Sequence, residues 1–105
     1  MPDFVTVARV SDVPPGGIKQ VEVDGQKIAL ANAGGTFYAV QDLCSHEEGN
    51  LWEGELEGDT IMCPWHFSVF SLKTGEVLAA PATEPIRTYP VSVQGDEVKI
   101  ARPGT

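Results

Sequence analysis

The chain has 105 residues, a formal net charge of −8 and 42% hydrophobic residues, with 11 Gly and 8 Pro. That length suits one domain with one modest core and excludes a two-domain enzyme, while the acidic balance argues against a nucleic-acid-binding role. No stretch approaches the about 20 apolar residues of a membrane span, and Met1-Pro2-Asp3-Phe4 lacks the basic region and apolar core of an export signal, so a cytoplasmic protein without a membrane partner is expected.

In chain order, Val5–Ala8 reads as a first strand, followed by a Pro/Gly loop from Ser11 to Gly17. Ile18–Val23 and Gln26–Ala31 flank Asp24-Gly25, the two-residue signal of a type I′ hairpin. Gly34-Gly35 turns the chain into Thr36–Val40, whose aromatic and β-branched residues favour extended backbone. A helical turn is expected within Asn50–Glu55, then strands at Thr60–Met62 and Val69–Ser71, and a turn at Lys73–Glu76. Ile86–Val93 and Val98–Ile100, joined through Gln94-Gly95-Asp96, close the chain as a last hairpin. No segment sustains a helical period and no repeat or linker interrupts the pattern. An all-β antiparallel sandwich or barrel is expected, with the loops discussed next forming a small inserted subdomain.

All the chain's Cys and His fall in two loops, Cys44-Ser45-His46 and Cys63-Pro64-Trp65-His66. In a reducing compartment such a set points to metal or catalysis before it points to a disulfide. Thiolate and imidazole both suit tetrahedral zinc and iron–sulfur clusters. Zinc knuckles usually open with two closely spaced Cys, whereas each loop here gives one sulfur and one nitrogen. That fits a binuclear cluster in which one iron takes both Cys and the other both His. Catalysis by the chain alone is not expected, because serine or cysteine hydrolysis needs a His as base and both His are already used.

On these residues the chain resembles Rieske-type [2Fe-2S] ferredoxins, in particular the soluble ferredoxin component of bacterial aromatic-ring dioxygenase systems. The resemblance spans essentially residues 1–105 as a single domain, with cluster loops at about 42–53 and 63–71 and a Pro-containing loop at about 79–83 around Pro81. Rieske proteins of respiratory complexes carry an extra Cys in each loop, joined as a disulfide, and the matching positions here are Gly49 and Trp65. The resemblance implies Cys44 and Cys63 on an inner iron and His46 and His66 on an outer iron near solvent, with Trp65 at the rim. High-potential relatives place a Ser and a Tyr after the second-loop Cys as hydrogen-bond donors to the cluster; the matching residues are Ser68 and Phe70. Phe70 cannot donate.

Charge explains why such centres are easily reduced. Two ferric irons, two sulfides and two thiolates sum to zero, whereas four thiolates leave a negative cluster that opposes reduction. Rieske centres accordingly span about −150 to +300 mV, against about −400 mV for plant-type all-Cys clusters. The Phe70 position implies the lower part of that range. Between Lys27 and Lys73 there is no cation, while Asp42, Glu47, Glu48, Glu53, Glu55, Glu57 and Asp59 all fall there, so both ligand loops are expected in an acidic surround that steers the protein to basic patches.

The resemblance thus implies one cluster per chain and transient docking, near His46 and His66, of a flavin-dependent ferredoxin reductase and a terminal oxygenase. A carrier that docks twice is expected to be a monomer. The small Rieske-like subunit of an assimilatory nitrite reductase and a zinc-binding interaction module are the other readings. Neighbouring genes separate the first, and colour separates the second.

Overall fold

The structure is a computed structural model and describes residues 4–42, 50–64, 68–79 and 85–101. The chain runs through β1 (Phe4–Arg9), β2 (Ile18–Val23), β3 (Gln26–Ala33), β4 (Thr36–Gln41), β5 (Glu55–Glu57), β6 (Thr60–Met62), β7 (Val69–Ser71), β8 (Val77–Ala79), β9 (Thr88–Tyr89), β10 (Val91–Gln94) and β11 (Glu97–Ala101). Short 3-10 turns lie at Val10–Asp12 and Leu51–Glu53, the second where a helical turn is expected. Among the described residues no helix is long and apolar enough to cross a membrane.

Three antiparallel sheets form, in the orders β1-β11-β10, β2-β3-β4-β9 and β5-β6-β7-β8. The first two close a sandwich, and the third is built from residues inserted between β4 and β9, as expected of an all-β fold with an inserted loop region. The β2–β3 hairpin has Val23 opposite Gln26, and Asp24 and Gly25 adopt φ of 51° and 80°, the left-handed values that a type I′ turn demands.

β3 is the wall shared by both halves. Ile28 and Leu30 point into one core with Ala8, Val13, Val21, Val98 and Ile100, while Ala29 and Ala31 point into the other with Val40, Leu51, Ile61, Cys63, Phe70, Leu72 and Ile86. The two-residue period of a strand therefore places branched side chains toward the sandwich and methyl groups toward the inserted sheet. β4 alternates in the same sense, with Ala39 facing the sandwich and Val40 the inserted sheet.

The long strand expected at Ile86–Val93 is two strands. Pro90 has no N–H to give a ladder and separates β9, which pairs with β4, from β10, which pairs with β11. Its carbonyl still accepts from the Ala101 N–H at 3.0 Å. The chain thereby passes from one sandwich sheet to the other at a single residue. β5 and β8, three residues each, were not expected from sequence.

Candidate metal centre

Cys63 follows the last residue of β6 and is completely buried. Met62 is held on both sides, opposite Glu55 of β5 and Val69 of β7, so the backbone reaches Cys63 in a fixed register. The Cys63 N–H then donates to the Ser68 carbonyl at 2.8 Å, which closes the second ligand loop at its root. Around the sulfur lies an apolar cluster that includes Leu51, Phe70, Leu72 and Ile86. Placing a thiolate in such surroundings is costly without compensating positive charge, which a metal bound to the sulfur supplies. Ser68 and Phe70 are also fully buried, and Phe70 pairs with Ile61 in the strand register. Cys44, His46, Trp65, His66 and Pro81 lie outside the described residues.

The first ligand loop is closed by Asp42. Its own N–H donates to the Lys27 carbonyl at 3.1 Å, anchoring it to β3. Its carbonyl accepts the Leu51 N–H at 2.5 Å, and one carboxylate oxygen accepts the Trp52 N–H at 3.0 Å. The other carboxylate oxygen accepts from Gln20 Nε2 on β2 at 2.5 Å. Asp42 and the Leu51–Trp52 backbone, the described residues on either side of 43–49, are therefore tied together by one clasp. This corrects one expectation: Asp42 is 0% exposed and contributes a latch, not surface charge. Glu53, Glu55, Glu57 and Asp59 are exposed and do supply an acidic surface.

The two roots meet in one core. Leu51, which Asp42 holds, and Cys63 belong to the same buried cluster, so the clasp of one loop and the ligand of the other share packing. Gly54 makes this approach possible, since a Cβ there would overlap the Met62 carbonyl oxygen, the residue just before Cys63. The third loop is rooted likewise: the Ile86 N–H donates to the Gly75 carbonyl at 2.9 Å. Sequence reading missed Asp42, Gln20 and Gly54 as members of the site. The available signal was an Asp directly after a strand, where a carboxylate readily accepts backbone N–H groups of a following turn.

Three comparisons bear on this geometry. A family model described as the Rieske [2Fe-2S] domain matches residues 3–90. The 3-phenylpropionate/cinnamic acid dioxygenase ferredoxin subunit of Shigella boydii serotype 4 is 47% identical over 95 residues, covering 90% of this chain and 89% of the relative. Among solved structures, the ferredoxin of carbazole 1,9a-dioxygenase from Nocardioides aromaticivorans IC177 is 35% identical with a TM-score of 0.90, covering 94% of this chain and 97% of that one. A chain from a complex of reduced oxygenase and oxidized ferredoxin in carbazole 1,9a-dioxygenase is 37% identical with a TM-score of 0.87, covering 93% and 92%.

Proposed function

The chain belongs to the Rieske [2Fe-2S] domain family, and from that premise we propose that it is an electron-transfer ferredoxin passing one electron from a flavin-dependent reductase to a terminal aromatic-ring oxygenase. The cluster, one per chain, is held by Cys44 and Cys63 through sulfur and by His46 and His66 through nitrogen, within a single domain of residues 1–105. When bound it supplies reversible one-electron chemistry near neutral cluster charge. The carrying observation is the convergence of Cys63 with the Asp42–Leu51 clasp in one buried core, which sets the roots of both ligand loops against each other. The 47% identity to a dioxygenase ferredoxin subunit favours this reading over a nitrite reductase subunit.

The chain's own residues then divide the work. Asp42, Gln20 and Ser68 hold the loop roots rigid, which keeps the site's geometry the same in both oxidation states and lowers the reorganisation that electron transfer requires. Buried Phe70 gives no hydrogen bond to sulfur and so keeps the potential in the lower part of the Rieske range, with Ser68 as an upward correction. Exposed Trp52, beside exposed Glu53, offers docking partners an apolar contact next to a charged one. Cytoplasmic location and a monomeric state accord with a carrier that must leave one partner for the next. With both His bound, no base remains for catalysis, and the chain is a component of an oxygenase system.

Iron, zinc and acid-labile sulfide analysis with EPR of the dithionite-reduced protein tests this. About two irons and two sulfides per chain, with a mean g value below that of an all-Cys cluster, are expected. Colourless, sulfide-free, zinc-loaded protein from iron-replete anaerobic growth overturns it.

A further inference from the structure

The chain is acidic, yet among the described residues two cations on one side have no side-chain partner. Six of its seven Lys and Arg lie among the described residues. Arg9 and Lys19 lie 3.9 Å from Asp96 and Asp12, Lys73 lies 3.4 Å from Asp59, and Lys99 donates to Gln94 at 3.2 Å. Lys27 and Arg87 have no such side-chain partner among the described residues, and both line one surface pocket of about 480 Å³ with Gln41, Asn50 and Tyr89.

That pocket sits at the root of two loops. Gln41 and Asn50 bracket the first ligand loop, and Arg87 follows the third loop. The Gln41 N–H donates to the Arg87 carbonyl at 2.8 Å, and the Arg87 N–H donates to Gln41 Oε1 at 2.7 Å, so the two loops depart from one ladder. A pocket lined by two cations with no side-chain partner among the described residues, beside Asn50, presents donors to a planar anion, and a guanidinium matches a carboxylate bidentately.

We propose that this pocket receives a carboxylate side chain from the surface of the terminal oxygenase; the inference rests on the electron-carrier reading above. Glu53, Glu55 and Glu57 call for basic groups on the partner, and Lys27 with Arg87 calls for an acidic one. A two-signed footprint selects one rotational setting of the complex, where a uniformly acidic face would accept many. It also penalises a partner whose docking face is only basic.

The test turns on a sign. Lys27→Glu with Arg87→Glu makes the chain more acidic, −12 against −8. If only the overall field matters, association with a basic partner speeds up. The pocket predicts the opposite: KM for the ferredoxin in oxygenase turnover rises roughly 5- to 50-fold, while EPR and potential stay those of the wild type. Arg9→Glu with Lys19→Glu, the same charge change in exposed positions elsewhere, is the control and is expected to leave KM unchanged or lower. Lys27→Gln with Arg87→Gln avoids placing a Glu opposite Glu22 across the β2–β3 ladder and is expected to give a smaller rise in the same direction. The inference is overturned if the pocket variants match the control, or if only reduction by the reductase slows. It is also overturned if benzoate at fixed ionic strength perturbs the Lys27 and Arg87 side-chain NMR signals while the Arg87 variants bind oxygenase normally. A wild-type chain that never reduces the oxygenase strikes at the carrier reading instead.

Discussion

Replacing Asp42 with Ala removes the latch of the first ligand loop and leaves two donors facing a void. The Trp52 N–H at 3.0 Å and the Gln20 Nε2 at 2.5 Å both lose their acceptor, a carboxylate that is itself 0% exposed, in a part-buried site. Hydrogen bonds to a charged group contribute about 1.5–3 kcal/mol each, and part of that is offset because a carboxylate no longer has to be buried. A net loss of about 2–4 kcal/mol is expected, which for a chain of this size lowers Tm by roughly 10–25 °C. Locally, exchange of the Trp52 amide should accelerate roughly 30- to 700-fold if the opening of the clasp carries the whole loss. Thermal unfolding and amide exchange of the iron-loaded protein measure both. Asp42→Asn is the discriminating companion: its carbonyl still takes the Trp52 N–H, and its amide pairs with a Gln20 turned end for end, so a loss of about 1 kcal/mol is expected. If Asp42→Ala stays within about 0.5 kcal/mol of wild type and the Trp52 amide remains protected, the latch argument fails.

Gly54→Ala pushes a methyl group into the Met62 carbonyl and displaces the backbone entering Cys63; about 2 kcal/mol of stability and much of the bound sulfide should be lost, read by Tm and sulfide content. Ile28→Ala should cost about 2–5 kcal/mol, yet leave the EPR g values of the wild type, because Ile28 packs in the sandwich core away from Cys63. His46→Cys, if a cluster assembles, should lower the potential by on the order of 100 mV in a redox titration, and an unchanged potential contradicts the charge argument. Electron transfer with the oxygenase should slow as salt rises from about 0.01 to 1 M, since the Debye length falls from about 30 to 3 Å, and a rate indifferent to ionic strength removes the docking role of the exposed carboxylates.

Much of this architecture was readable in advance, because local chemistry dictated it. Asp24-Gly25 supplies the positive φ of a tight hairpin, and the alternating apolar residues of β3 and β4 need two buried faces. What stayed hidden was set by distant partners. Glu55–Glu57 looks like acidic surface and becomes a strand only because Leu56 pairs with Ile61. Pro90 sits inside an apolar run that reads as one strand, and its missing N–H divides that strand between two sheets. The ligand residues announce themselves by type and spacing. Asp42 does not: its charge suggests solvent, and its burial depends on Gln20, a residue in another strand. Lys27 and Arg87 are likewise unremarkable until the β4–β9 ladder brings them to one pocket.

Because β3 lends its methyl-bearing face to the inserted sheet, that sheet has no floor of its own. Anyone transplanting the cluster-bearing piece, residues 42–87, onto another scaffold must bring Ala29, Ala31 and Val40 along or rebuild a surface equally shallow. The same sharing makes the redox end and the supporting sandwich thermodynamic hostages of each other, so stripping the iron should loosen a strand whose opposite side never touches it.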